Sequence, residues 1–298
     1  MNTSELCERF IASRRAAHRA AATIEWYEYV LARWQRLAPT DPATTTEDDI
    51  ERFLTTAPSA ESARNWLRAM RAFSAWAARR YGLPSPAHDV IPPRPKPRLP
   101  RVWTEGEIRL IAEAARADWR DQLAVHILLD TGIRIGELAT IRAERVELTT
   151  NGGTPAYAIT ITGKDGARRV PLSRSTAQLI MRHAPAQGPL FVHGHGAVPF
   201  TTAGLGYRLR ELVARAGIVG PKIGAHTFRH TFATLYLRNG GDIYRLQRLL
   251  GHASITQTTV YLHLSDPDAF NEHARLSPVR LLTNTPQLPL TEPKEATG

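Results

Sequence analysis

Cysteine is almost absent from this chain, and long uninterrupted apolar runs are missing altogether. A single cysteine among 298 residues, Cys7, excludes an internal disulfide framework and a zinc site built on several thiolates. No run approaches the ~18 apolar residues of a membrane span, and charged side chains interrupt the first 15 residues, where a signal peptide needs an apolar stretch. We therefore expect a cytoplasmic protein without a membrane partner, in which Cys7 is structural.

The common phosphate-binding glycine loops are also missing. Neither GxxxxGK[ST] nor GxGxxG occurs, and no paired carboxylates indicate a magnesium site. His193 and His195 lie two apart in a glycine-rich segment, but without a third ligand we interpret this segment as a loop. The sequence thus predicts no metal and no cofactor, so any chemistry on phosphate esters must rely on side chains.

Positive charge is what the chain has in excess, and it is unevenly distributed. The formal net charge is +10 and the isoelectric point is near 10.2. Residues 1–90 hold 12 basic against 11 acidic side chains, whereas residues 91–275 hold 24 against 15. Because basic proteins gain affinity for polyanions by releasing counterions, this composition indicates a nucleic-acid partner. A membrane surface is the alternative on charge alone, but no basic helix with a broad apolar face supports it.

Hydrophobic patterning divides the chain into two domains and a linker. Apolar residues recur at helical spacing in 18–38 and 61–82, and Thr46 is a predicted N-cap between them, so residues 1–83 are predicted to form an all-helical domain. Residues 84–101 contain seven prolines and four basic residues, which predicts an extended linker. Its basic residues are candidate contacts to a phosphate backbone: Arg94, Lys96, Arg98 and Arg101.

The second domain, residues 102–277, is predicted to be mainly helical with a small antiparallel sheet. A capping-box pattern at Thr104 and Glu107 begins its first helix. The segments "DQLAVHILLDTG" and "IGELATIRAERV" are interpreted as two helices separated by Gly132. Residues 156–172 alternate with period two around Gly-Lys-Asp-Gly, which predicts a β-hairpin within an otherwise helical domain. Residues 278–298 are proline-rich and are expected to be a mobile tail.

Polar residues that suit phosphate chemistry concentrate between Gly224 and Leu264. His226 and Arg229 are spaced to share a helix face, His252 follows a predicted helix end at Gly251, and Tyr261 is predicted to lie on the next helix. A tyrosine is a poor nucleophile at its free pKa of about 10, so it needs nearby cations and a base. These residues and Arg134 could supply both, although each one taken singly favours a structural interpretation.

Four segments, in order, resemble the tyrosine recombinases, the family that includes phage integrases and the bacterial chromosome-dimer-resolving (Xer-like) enzymes. They are "TGIRIGELATIR" (131–142), "TGKDGARRVPL" (162–172), "HTFRHTFATLYLRNG" (226–240) and "LLGHASITQTTVYLH" (249–263). The resemblance implies a two-domain clamp around double-stranded DNA, made of a SAM-like core-binding domain and a mixed α+β catalytic domain. It further implies a homo- or hetero-tetramer on two DNA sites, accessory DNA-bending proteins in some systems, and no metal or ATP.

The resemblance also implies a role for each matching residue. Tyr261 would attack the scissile phosphate and form a 3′-phosphotyrosyl link, Lys164 would act as general acid toward the 5′-hydroxyl, and Glu137 would support the site. The remaining matches would contact the phosphate: Arg134, His226, Arg229 and His252, with His226 also a candidate acceptor of the tyrosine proton. By contrast, His230 is interpreted as a packing or locally hydrogen-bonded residue.

Two other activities are compatible with the same residues. A type IB topoisomerase uses the same chemistry to relax supercoils, and a regulator on the same fold would bind DNA without cleaving it. The resemblance also implies a C-terminal segment that docks on a neighbouring subunit, and residues 265–277 are predicted to form that segment as a helix.

Overall fold

The computed structural model describes residues 1–94, 99–151, 154–163, 166–193, 198–220 and 223–262. The chain divides into two units, the first ending at Arg98 and the second beginning at Leu99. This division falls within the proline-rich segment 84–101. Across these ranges, no helix is long and apolar enough to cross a bilayer.

The first unit is helical. Its helices are α1 (Thr3–Ala16), α2 (Ala21–Trp34), α3 (Glu47–Thr55) and α4 (Ala60–Tyr81), with a 3-10 turn at Pro42–Thr44. Thr46 caps α3 as predicted, since its side chain accepts from the Asp49 N–H. Helix α1 was not predicted, although Leu6, Cys7, Phe10 and Ile11 recur at three and four residues and are buried. Burial raises the pKa of the Cys7 thiol to about 12, which fits a structural role.

Aromatic side chains fill the core of the first unit. The Phe53 ring stacks on Trp66 at 4.9 Å between centroids and meets Trp34 edge-on at 5.5 Å. Phe10 meets Phe73 edge-on at 5.5 Å. Such rings bury large apolar areas and prefer these geometries. Within the described part of this unit no charged side chain is buried, so its interior serves packing.

The second unit combines helices with a three-stranded antiparallel sheet, which confirms the predicted fold class. Its strands lie in chain order: β1 (Val146–Asn151), β2 (Thr154–Gly163) and β3 (Gly166–Leu172). Strands β2 and β3 pair from Tyr157 with Leu172 to Gly163 with Gly166, which confirms the predicted hairpin. The other elements are α5 (Glu105–Ala115), α6 (Trp119–Thr131), α7 (Ile135–Ala139), α8 (Arg174–His183), α9 (Thr202–Arg215), α10 (Ala225–Arg238), α11 (Ile243–Leu250) and α12 (Thr256–Thr259).

The predicted helix over residues 135–146 is wrong beyond Ala139. Helix α7 stops there, and the chain continues through a 3-10 turn into strand β1. The backbone groups that a longer helix would use bond elsewhere: the Ile141 carbonyl accepts from the Leu190 N–H, and the Ala143 N–H donates to the Gly188 carbonyl. Tertiary pairing therefore overrides local helical propensity at this point.

Candidate active site

Arg229 lies at the centre of the polar cluster, on α10, and only 4% of it is exposed. Its Nη1 donates to the Gly132 carbonyl at 2.7 Å and its Nη2 to the Leu250 carbonyl at 2.8 Å. Burial, followed by the positive charge of Arg134, lowers its pKa to about 10. The guanidinium therefore stays protonated at neutral pH, and its hydrogen-bond partners are carbonyls without net charge.

Two glycines place those carbonyls. Gly132 ends α6 and Gly251 ends α11, each with φ of 63° in the left-handed region that favours glycine. A Cβ on Gly132 would also lie 2.2 Å from the Phe232 ring. The helix ends that these glycines create bring the carbonyls of Gly132 and Leu250 to Arg229.

Arg134 is the N-cap residue of α7, beside Arg229. Its Nη2 donates to the Gly251 carbonyl at 3.3 Å, and its Nη1 lies 3.5 Å from a Glu137 carboxylate oxygen. The Arg134 N–H donates to the other Glu137 oxygen at 2.8 Å, in a capping-box arrangement. About a third of the Arg134 side chain, 37%, remains exposed. Arg134 thus offers solvent-accessible donors next to a buried second arginine.

Glu137 is held by an arginine that sequence analysis did not select. Arg168 on β3 donates to both Glu137 oxygens, at 2.7 and 2.9 Å, and its Nε donates to the Leu249 carbonyl at 2.9 Å. Burial acts to raise the pKa of Glu137, but the hydrogen bonds from Arg168 and Arg134 outweigh it, so that pKa lies below its ordinary value. Arg168 therefore connects β3, α7 and the end of α11. The signal was present, because Arg168 alternates with the buried Val170 and Leu172.

The two predicted histidines lie near the arginines. His252 follows Gly251 in a turn, as predicted, and its Nδ1 lies 2.8 Å from the Thr258 hydroxyl. Burial, Arg229 and Arg134 lower the pKa of His252 to about 4. His226 is at the solvent-exposed start of α10, where partial loss of hydration and the charges of Arg229 and Arg134 lower its pKa. Both rings are neutral at pH 7 in this state.

Tyr261 lies in the turn that follows α12, not within the helix as predicted. Its N–H donates to the Thr258 carbonyl at 3.0 Å, and the predicted capping residue Ser254 accepts from the Thr256 N–H at 3.3 Å. The residue is 2% exposed and packs with Phe232, Leu246 and Leu250. Burial raises the pKa of its hydroxyl, although Arg229 and Arg134 act to lower it.

The hydroxyl of Tyr261 contacts His230, a residue that sequence analysis interpreted as packing or bonding locally. The His230 Nδ1 lies 2.9 Å from the Tyr261 oxygen, 31 residues away in sequence, so its hydrogen bond is not a local one. A signal existed, because His230 is four residues after His226 and such residues share a helix face. Their ring centroids lie 6.4 Å apart.

Other predicted residues and segments fall outside the part of the chain that the structure describes: Lys164, Lys96, Arg98, His195, the predicted helix 265–277 and the predicted tail 278–298. Arg94 is exposed, whereas Arg101 pairs with Glu107 at 2.6 Å and covers the Trp103 ring at 5.0 Å. His193 stacks on Phe200 at 3.7 Å between centroids. The structure thus brings together Arg134, Glu137, His226, Arg229, His252 and Tyr261.

The arrangement suits an anion that carries a reactive centre. Two arginines lie beside neutral imidazoles and a phenol, and one carboxylate offsets only part of the positive charge. Arginines bind phosphate oxygens through paired donors and stay charged at any working pH. Among the residues described, no three His, Cys, Asp or Glu side chains lie together as metal ligands would.

Comparisons with known proteins agree on one family. The model described as the phage integrase family matches residues 101–267. The tyrosine recombinase XerC of Listeria welshimeri is 32% identical over 185 residues, which cover 56% of this chain and 59% of that protein. The XerC of Xylella fastidiosa is 30% identical over 216 residues, or 69% of this chain and 71% of that protein. The match therefore spans less than two thirds of the Listeria relative.

A solved structure shares the fold. The crystal structure of the XerH site-specific recombinase bound to palindromic difH substrate, a post-cleavage complex, aligns with a TM-score of 0.72. The alignment covers 92% of this chain and 84% of that chain at 22% identity. At this identity the likeness concerns the fold alone.

Proposed function

Because the chain belongs to the phage integrase family, we propose that it is a site-specific DNA recombinase that cleaves and rejoins strands through a 3′-phosphotyrosyl intermediate. The observation that carries this proposal is the convergence of Arg134, Arg229, His226 and His252 on the turn that holds Tyr261. A phenol surrounded by cations is a competent nucleophile for a phosphodiester, because the cations stabilise the charge that develops on phosphorus-bound oxygens.

The cleavage step assigns each residue a task. The Tyr261 oxygen attacks phosphorus, and the bond to the 5′-oxygen breaks. Arg134 and Arg229 stabilise the non-bridging oxygens, and His226 and His252 each donate a further hydrogen bond through the N–H of the neutral imidazole. Lys164, on the segment between β2 and β3, supplies the proton to the leaving 5′-oxygen. Glu137 touches no reacting atom and acts by holding Arg134.

Rejoining reverses the same step. The phosphotyrosyl link keeps the energy of the phosphodiester, so the 5′-hydroxyl of another strand can displace the tyrosine without ATP. Side-chain cations take the place that a metal ion has in other phosphoryl-transfer sites. The proposed enzyme therefore needs no cofactor.

The partners follow from this chemistry. We infer that the chain binds double-stranded DNA in the cytoplasm, with the helical unit and the catalytic unit both contacting the duplex. Exchange between two duplexes requires four tyrosines, hence a homo-tetramer or a hetero-tetramer with a related recombinase. Arg94 and the basic residues that follow it in the linker are proposed contacts to the phosphate backbone, and the segment 265–277 is the proposed link between subunits.

A covalent-trapping assay tests the proposal. The protein is incubated without metal or ATP with labelled, nicked duplexes tiled across the DNA that flanks its own gene, then run on a denaturing gel. We expect a protein-sized shift that Tyr261→Phe abolishes, because that variant removes only the nucleophilic oxygen. The nick lets the cleaved strand diffuse away, so the intermediate accumulates.

Other outcomes separate the competing activities. In one outcome, the protein binds the same duplexes tightly and still forms no adduct, whether or not a related recombinase is added and whether or not the DNA is supercoiled. That result would favour a regulator that does not cleave. An adduct accompanied by relaxation of an unrelated supercoiled plasmid would favour a topoisomerase. An adduct confined to particular duplexes identifies a recombinase and locates its site.

A further inference from the structure

The contact between His230 and Tyr261 is not explained by the phosphate-binding roles. The Nδ1 of His230 lies 2.9 Å from the tyrosine oxygen, within the range over which a general base can take a proton. The two rings are tilted by 48° with centroids 5.7 Å apart, so the ring nitrogen rather than the ring face meets the hydroxyl. His230 is therefore hydrogen-bonded to the atom that would attack phosphorus.

The direction of this hydrogen bond follows from protonation. Burial, with His226 and Arg229, lowers the pKa of His230 to about 4, so the ring is neutral at pH 7. A neutral imidazole has one donor nitrogen and one acceptor nitrogen, while a phenol hydroxyl can donate. With Nδ1 as acceptor, the lone pair of His230 already points at the tyrosine proton.

We propose that His230, in place of His226, is the general base that receives the Tyr261 proton. This inference rests on the cleavage reaction proposed above. In this step the hydroxyl proton passes to Nδ1 of His230 while the tyrosine oxygen bonds to phosphorus. The bond from phosphorus to the 5′-oxygen breaks, and that oxygen takes its proton from Lys164. In rejoining, His230 returns its proton to the tyrosine oxygen as that oxygen leaves phosphorus.

The charges around His230 make its ability to accept a proton depend on bound DNA. The ionisable groups around His230 are His226 and Arg229 on its own helix, His252 on the turn after α11, and Tyr261. The nearby cations disfavour a charged imidazolium. A phosphodiester bound at Arg134 and Arg229 brings a negative charge that offsets those cations, and an opposite charge nearby favours the protonated form. His230 thus becomes a better base when the scissile phosphate is in place.

Two substitutions separate proton transfer from positioning. His230→Asn keeps an acceptor oxygen near the place of Nδ1 but cannot take a proton, whereas His230→Ala removes the contact. Both are tested for single-turnover adduct formation on the duplex found by trapping, after thermal unfolding and DNA-binding measurements confirm a folded protein. We expect both to be slower than wild type by roughly 100-fold or more, within the range of general-base catalysis.

A modified substrate separates His230 from the general acid. A duplex with sulfur in place of the scissile 5′-oxygen has a leaving group that needs no proton, since thiols are far more acidic than alcohols. We expect Lys164→Ala to recover most of its rate on this substrate. The His230 variants should remain as slow relative to wild type as before, because activation of the tyrosine is unchanged.

The outcomes are distinguishable from failure of the proposed function. If wild type never forms an adduct, the recombinase proposal itself fails, and this inference with it. If wild type reacts and His230→Asn reacts within a few-fold of it, proton transfer to His230 is wrong. Nitrogen-15 NMR of the imidazoles gives a readout without activity: Tyr261→Phe should shift the Nδ1 signal of His230, and an unchanged signal would contradict the contact.

Discussion

Two buried carboxylates in the second unit are both held by arginines, yet they leave different net charges. Asp121, in the first turn of α6, accepts from Arg208 at 2.5 Å and Arg215 at 2.6 Å, and Arg208 also pairs with Asp118. Glu137 accepts from Arg168, and lies beside Arg134. In the first cluster, Asp118 and Asp121 stand against Arg208, Arg215 and the more distant Arg120, which lies 3.8 Å from Asp118, so the sum is 3 − 2 = +1. The second cluster contains Arg134, Arg168 and Arg229 but only one carboxylate, Glu137, so its net charge is 3 − 1 = +2.

This difference shows which cluster serves the fold and which can receive a ligand. Burying a charge is costly unless it is paired, so an uncompensated cation is retained where something else neutralises it. The Arg229 donors go to the carbonyls of Gly132 and Leu250, which do not cancel its charge. A bound phosphodiester carries a negative charge and would cancel it. The two clusters lie at opposite ends of α6, about 16 Å apart along its axis by helical rise, so each is an internal control for the other.

Exchanging one arginine for lysine in each cluster should give the largest difference between the clusters, measured as the rate of adduct formation. Arg229→Lys keeps the positive charge but cannot supply the planar pair of donors to two carbonyls and a phosphate. We expect adduct formation to slow by about 100-fold to 1,000-fold, as for the loss of one preorganised transition-state donor. Single-turnover trapping per folded molecule measures this.

Arg215→Lys is the matched control in the other cluster. About half of the Arg215 side chain, 49%, is exposed, and a lysine there can still pair with Asp121. We expect its rate to stay within about twofold of wild type, because surface substitutions away from a site have small effects. Equal losses from both variants would show that the clusters do not differ in function.

Neutralising each carboxylate should separate stability from chemistry. Asp121→Asn leaves Arg208 and Arg215 without their shared partner, and we expect a loss of about 3 kcal/mol in unfolding free energy, at the low end for a broken buried pair because water screens Arg215. Once folded, this variant should cleave normally. Urea unfolding and the trapping assay measure the two effects.

Glu137→Gln is expected to lower both the unfolding free energy and the cleavage rate. It removes the anchor of Arg134 and Arg168 while the other contacts of both arginines, to the Gly251 and Leu249 carbonyls, remain. The variant should unfold more easily because a buried ion pair with Arg168 is broken. Cleavage per folded molecule should also slow, by about tenfold to 100-fold, as for residues that orient an active group. A variant that cleaves at the wild-type rate would contradict the proposed positioning role.

As the pH falls, the second cluster should lose its contribution to the free energy of unfolding before the first cluster does. This is the smallest effect that we predict. Hydrogen bonds hold the pKa of Glu137 below its ordinary 4.5 and that of Asp118 below its ordinary 3.8, against the effect of burial. A carboxylate with a lowered folded pKa stabilises fully above its unfolded pKa and loses that contribution as pH falls through the folded pKa. The stability advantage of wild type over Glu137→Gln should therefore be constant above about pH 5 and narrow below pH 4.5.

The same pH series with Asp118→Asn sharpens the comparison. Its stability difference from wild type should begin to narrow only below pH 3.8, because that is the ordinary pKa of an aspartate here. Narrowing of both differences over one shared range would indicate that a global acid transition, rather than these two carboxylates, sets the response.

The sequence predicted those parts of the molecule that depend on local pattern. Period two over residues 156–172 gave the hairpin, and the Thr46 cap and the breaks at Gly132 and Gly251 were located correctly. It did not predict that α7 would end at Ala139, because the Ile141 carbonyl bonds to Leu190, 190 − 141 = 49 positions away, and the Ala143 N–H to Gly188, 188 − 143 = 45 positions away. Local propensity carries no information about such partners.

By itself, the sequence determined the chemical inventory: which side chains can carry a positive charge, attack phosphorus or end a helix, and in what order along the chain. Only the tertiary structure decided which of them meet. Arg168 and Glu137 are 31 residues apart, as are His230 and Tyr261, and no spacing rule brings either pair together. The physical reason is that burial and charge pairing depend on which surfaces pack, so the pKa of a histidine and the partner of a tyrosine are properties of the folded chain.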